Sequence, residues 1–190
     1  MRIQRAQSIV AALILALAAS ASPTAGGEAE DQYAVSAGLY ARQQWALAAE
    51  AFGQFVERFP DHAKADPSVF FLAESLLRQD EFEKASQRFA EYLRRAPDGP
   101  HARSARFRLG EAAYLTGQLD RARDELEAFH RDHPDDARTV YVLAYLGEIS
   151  LTQGDDQRAA DLFRRADGIT QNGSLRDRIR LGLARALERL

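Results

Sequence analysis

The sequence predicts an all-α solenoid built from repeated helix pairs. Two periodicities carry this: Ala48, Ala85, Ala122 and Ala159 stand 37 residues apart, and so do Pro60, Pro97 and Pro134. Within each unit the large apolar residues recur at steps of three and four, the stripe of an amphipathic helix and not the alternation of a strand. The composition fits a folded domain with its own core: 190 residues, 46% hydrophobic and 28% charged, with six prolines.

The first element is a targeting segment. Arg2 and Arg5 precede an apolar run from Ile9 to Ala19, and Ala19-Ser20-Ala21 places small residues where a leader is cut. That is the order of parts in a secretory signal peptide, expected here over 1–21. The run is eleven residues long, whereas a membrane-crossing helix needs about 20. Removal after Ala21 takes away two arginines and shifts the net charge from −3 to −5. The chain contains no cysteine, which excludes a lipoprotein anchor, disulfides and thiolate metal sites. A periplasmic or secreted location is expected, with no stable membrane span after cleavage. Residues 22–30, small and polar, read as a flexible linker.

Four units follow, at about 31–62, 66–99, 103–136 and 140–171, then a last helix over 174–190. Their first helices are expected at Ala34–Gln43, Pro67–Gln79, Ala102–Thr116 and Arg138–Gln153. Turns containing Gln44, Asp80, Gly117 and Gly154 lead into second helices at Ala46–Phe59, Glu81–Arg95, Leu119–Asp132 and Asp156–Ala166. Proline closes the first three units because it cannot continue a helix without losing a hydrogen bond. Val35, Leu72, Leu109 and Leu146 share the period, each followed by a small residue (Ser36, Ala73, Gly110, Gly147). Phe52, Phe89, Leu126 and Phe163 do so in the second helices, and Phe55, Tyr92 and Phe129, with Ala166 in the fourth unit, follow three residues later. Small residues let the paired helices approach, and large ones fill the space between. One unit cannot bury both its faces, so several must stack. In the last helix Arg178, Arg185, Glu188 and Arg189 suit a capping surface, while Leu181, Leu187 and Leu190 suit either a cap or continued stacking.

These residues resemble the tetratricopeptide repeat (TPR). The third unit, "RFRLGEAAYLTGQLDRARDELEAFHRDHP", and the second, "VFFLAESLLRQDEFEKASQRFAEYLRRAP", carry the family's Leu-Gly, alanine, aromatic and proline positions. The family's usual period is 34; the three extra residues here fall after each proline. This variant is similar to the periplasmic repeat domains of BamD-type outer-membrane assembly lipoproteins and Tol–Pal coordinator proteins of Gram-negative envelopes. It lacks the lipid-anchor cysteine of the former and the N-terminal coiled coil of the latter. The resemblance implies a right-handed superhelix whose first helices line a concave groove.

Mapped by family position, that groove carries the rows Tyr33, Phe70, Phe107, Ala144 and Tyr40, Leu77, Tyr114, Leu151. Between them runs Ala37 followed by a carboxylate ladder, Glu74, Glu111 and Glu148. Aromatic faces anchor apolar side chains, and the acids would favour basic ones. The expected partner is a protein or peptide segment with apolar and basic residues, laid along the groove. The bland alternative is that these residues only pack and that the glutamates pair with arginines of the chain itself. Acids and aromatics also stand where the chaperone-binding subgroup of the family carries its two-carboxylate clamp.

Catalysis finds little support. No glycine-rich phosphate loop or Gly-x-Ser-x-Gly elbow is present, and the carboxylates follow the repeat instead of converging. His130 and His133 form a His-x-x-His pair, but a helix C-terminus explains them better than a metal does. The expectation is no catalytic residue, no metal, no cofactor and, at a net charge of −3, no nucleic acid. The function expected is an exported interaction module or scaffold. The alternatives are the repeat portion of a larger envelope assembly protein or, more remotely, an accessory part of an envelope enzyme.

Overall fold

In the computed structural model, residues 25–190 are described; the signal peptide expected over 1–21 lies outside them. They form nine α-helices: α1 (Ala25–Ala41), α2 (Trp45–Arg58), α3 (Ala65–Leu77), α4 (Phe82–Arg95), α5 (Ala102–Leu115), α6 (Leu119–Asp132), α7 (Thr139–Gln153), α8 (Asp156–Ile169) and α9 (Gly173–Glu188). Each helix packs mainly on the one before and the one after it. Four helix pairs and a final helix thus wind into the right-handed solenoid that the sequence predicts.

Two helix ends depart from expectation by more than two residues. The linker expected over 22–30 is in part helical, since α1 begins at Ala25. The reason is packing: Ala29 is fully buried, and Glu28 pairs with Arg58 of α2. Helix α8 reaches Ile169, three residues past the expected Ala166; Arg58, Arg95, Asp132 and Ile169 are 37 residues apart, so the second helices end at one repeat position even where Gln171 replaces the proline.

The turns inside the pairs also keep the period. Gln43, Asp80, Gly117 and Gly154, spaced by 37, all adopt positive φ, between 59° and 80°. This left-handed residue reverses the chain, and only the last two units use glycine, for which it is unstrained.

Packing follows from residue size. Ala48, Ala85, Ala122 and Ala159 are fully buried, with Phe52, Phe89, Leu126 and Phe163 beside them. A Cβ on Gly110 would lie 2.8 Å from Leu126 Cγ, and one on Gly147 2.7 Å from Phe163 Cε1. The glycines therefore set the spacing of α5 on α6 and of α7 on α8. Leu72, Leu109 and Leu146 are covered by the preceding pair, whereas Val35, the matching residue of the first pair, is 62% exposed. At the other end Leu181, Leu187 and Leu190 are exposed.

Candidate functional site

The first helices α1, α3, α5 and α7 turn one face each into a shared concavity of about 500 Å3. Its walls include Tyr40 from α1, Phe70 and Glu74 from α3, Phe107 and Glu111 from α5, and Tyr141 from α7. A smaller cavity of about 40 Å3 adjoins it, sharing Tyr141 and reaching Tyr114, Glu148 and α9. The structure thus brings together Tyr40, Phe70, Glu74, Phe107 and Glu111, and sets Tyr114 and Glu148 next to them.

Three expected groove residues lie elsewhere. Leu77 and Leu151 are buried in the cores of the second and fourth units, 8% and 2% exposed, so they serve packing. They occupy the row nearest the turn, where the first helix closes onto its partner. Tyr33 lies outside both cavities, its ring edge-on to Phe52 and Phe55 at 6.1 and 5.8 Å. The Lys64 ammonium sits over that ring, 5.2 Å from its centre.

The carboxylate ladder is present but occupied. Arg108 Nε donates to Glu74 Oε1 at 2.8 Å, and its Nη1 donates to Glu111 Oε2 at 2.6 Å. The Tyr145 hydroxyl donates to the other Glu111 oxygen at 2.8 Å. Arg185 Nη1 approaches Glu148 at 3.4 Å. Two arginines of the chain therefore neutralise much of the acidity that the sequence alone suggested for a basic ligand. Burial opposes the charge of Arg108, yet Glu74 and Glu111 outweigh it and hold its pKa above the usual value. Burial, aided by Glu111, also raises the Tyr145 hydroxyl, which stays a proton donor.

A second polar tie closes the groove at its rim. Arg138 grips both Asp136 oxygens, from Nε at 2.7 Å and Nη2 at 2.8 Å, and donates from Nη1 to Ser104 Oγ at 2.8 Å. Its guanidinium also lies 5.8 Å from the Phe107 ring centre. These bonds hold the Asp136 carboxyl down at about 2. The His101 ring stacks on Phe70, 4.4 Å between centres and 9° from parallel, and burial lowers its pKa.

Sequence reasoning missed Ser104, Arg108, Arg138, Tyr141 and Tyr145. The signal was the period itself. Ser104, Tyr141 and Arg178 are 37 apart, as are Phe71, Arg108, Tyr145 and Gly182. These rows flank the mapped ones by one helical step. The resulting surface offers aromatic faces with fixed polar groups between them, an arrangement suited to seating side chains. Elsewhere, His130 Nε2 lies 3.0 Å from Arg165 Nη2, and the ring of His133 packs edge-on to Phe129. Among the described residues no cluster of three or more histidines and carboxylates suits a metal ion, and no helix is long and apolar enough to cross a membrane.

Known structures share this architecture. BtubC (BKLC) from P. vanneervenii aligns over 84% of this chain and 72% of its own, at a TM-score of 0.64 and 17% identity. MamA from Desulfovibrio magneticus RS-1 aligns over 87% and 96%, at 0.64 and 13%. A putative kinesin light chain with nearly identical TPR-like repeats, from Podosopora anserina, aligns over 84% and 85%, at 0.63 and 18%. At these identities the likeness is one of fold. No curated protein matches the sequence. Tetratricopeptide repeat models, in contrast, match residues 72–137 and 117–174, more than half of the chain, and also 36–62. The chain belongs to the tetratricopeptide repeat family.

Proposed function

We propose that this protein is a non-catalytic interaction module that holds a segment of a partner protein along the concave face of its first helices. The observation that carries the reading is the concavity of about 500 Å3, walled by aromatic rings from the first helices of all four pairs. Tyrosine and phenylalanine supply large contact areas, and binding energy concentrates on such residues. The rings follow one another from helix to helix along the groove, which suits an extended or helical segment with several apolar side chains. A basic residue on the partner would find Glu148, whose side chain is 31% exposed and whose own arginine stands at 3.4 Å. Glu74 and Glu111, already bonded to Arg108, contribute less.

The N-terminal basic and apolar segment supports export, and with it a role in the cell envelope like that of the BamD-type and Tol–Pal coordinator repeat domains. N-terminal sequencing of the protein from its own cells should begin at Ser22; retention of Met1 in a cytosolic fraction contradicts export.

Site-specific photocrosslinking tests the groove. A photoreactive residue at Tyr141, in the groove, should capture one partner segment. The same residue at Leu47, 52% exposed and away from the groove, should not. Equal capture at both positions refutes a groove-bound partner.

A further inference from the structure

The fourth unit breaks the aromatic pattern in two places at once. Where units one to three carry Tyr33, Phe70 and Phe107, it carries Ala144. Where they carry Phe55, Tyr92 and Phe129, it carries Ala166. In the second unit the first ring packs on the second helix and on the connection to the next unit: Phe70 lies 5.8 Å from Phe89 and stacks on His101. Phe163 and Leu175 are the period equivalents of Phe89 and His101.

The missing ring leaves a hole. Ala144, Phe163, Leu175 and Ile179 border the cavity of about 40 Å3, which Tyr114 also lines and which shares Tyr141 with the groove. Helix α9 cannot move in to fill it. Its Gly182 already meets the Phe163 ring, where an added Cβ would lie 2.5 Å from Cζ. One wall is fixed by Tyr145, whose hydroxyl is bonded to Glu111 and whose ring lies 4.9 Å from Tyr114. The volume is enough for a few waters, each of which needs about 10–15 Å3 and two to four polar partners. The floor supplies apolar carbon instead.

We infer that this hole is the anchor pocket of the groove and takes one aliphatic side chain of the partner, of about leucine size, in the place that an aromatic ring occupies in the other units. The inference rests on reading the concave face as the binding surface. Leucine fits better than a cation because the lining is mostly apolar and its two charged residues, Arg178 and Glu148, are of opposite sign.

The test is NMR titration of the full chain with N-acetyl-leucinamide, with N-acetyl-lysinamide as the comparison, reading the methyl signals of Leu175 and Ile179. Leucinamide should shift both signals saturably and lysinamide should not. Ala144→Phe restores the ring of the other units; it should melt no lower than the parent and abolish the shifts. Ala144→Leu should also abolish them and serves if the phenylalanine variant fails to fold. Absence of shifts at millimolar leucinamide, shifts that persist in a folded variant, or equal shifts from lysinamide would each overturn the pocket. If the pocket falls while Tyr141 still crosslinks a partner, the groove stands without its anchor.

Discussion

Arg108 and Glu74 lie 34 residues apart in sequence and 2.8 Å apart in space, joining α5 to α3 on the groove wall. Only 7% of the Glu74 side chain is exposed. Removing one partner of a buried ion pair leaves a charge without compensation. Arg108→Met should therefore cost about 3 kcal/mol, a fall of roughly 6–12 °C in melting temperature. The double variant Arg108→Met, Glu74→Leu should recover most of it. Calorimetric melting of the three proteins checks this, and an unchanged single variant would mean that Glu74 is solvated.

Gly147 and Gly38 separate packing from backbone effects. A Cβ at 147 would meet Phe163, whereas one at 38 meets nothing within 4 Å. Gly147→Ala should cost about 1–3 kcal/mol through overpacking. Gly38→Ala, inside α1, should gain about 0.5–1 kcal/mol from helix propensity. Urea unfolding of both variants reads the difference in sign.

The pair turns make a third prediction. Gln43 and Asp80 hold φ near 60°, the conformation that Gly117 and Gly154 adopt in the later units. The left-handed helical region costs a non-glycine residue about 1 kcal/mol or more. Asp80→Gly should thus stabilise the protein by a few tenths to about 1 kcal/mol, part of the relief being offset by the greater freedom of glycine in the unfolded chain. Gly117→Val should destabilise it by at least that amount, and a melting series measures both.

Acid should loosen the rim. Asp136 has its carboxyl held at about 2 by Arg138, below the ordinary 3.8. A depressed carboxyl contributes stability above its unfolded pKa and loses it as pH falls through the folded one. The loss is expected between about pH 4 and pH 2, and amounts to about 1–2 kcal/mol after allowance for solvent screening. Asp136→Asn should be less stable at pH 7 and show a shallower decline over that window in denaturant titrations at stepped pH.

Much of the architecture was legible in the sequence because each unit repeats its packing. The spacing of Ala48, Ala85, Ala122 and Ala159 marked the helix pairs, and the prolines marked where α2, α4 and α6 stop, a position α8 shares without one. The period also pointed to Phe70, Glu74, Phe107 and Glu111 in the groove. It failed where one helical step decides the facing. Leu77 and Leu151 share a row with Tyr40 and Tyr114, yet they turn to the core. Nor could the row of glutamates reveal its own arginine, since Arg108 reaches Glu74 only once α3 and α5 lie side by side. The helical start of α1 was hidden by glycines and small residues, whose helix is held by the burial of Ala29 and the pairing of Glu28 with Arg58.

The central claim is that the concave aromatic surface binds a partner segment. Its most direct measurement is calorimetric titration of that segment, once crosslinking has named it, into the parent chain and into Tyr141→Ala and Leu47→Ala. Truncation of an anchoring aromatic costs 2 kcal/mol or more, roughly thirtyfold in affinity. The account predicts that loss for Tyr141→Ala and parental affinity for Leu47→Ala. Parental affinity in Tyr141→Ala, or a matching loss in Leu47→Ala, would contradict it.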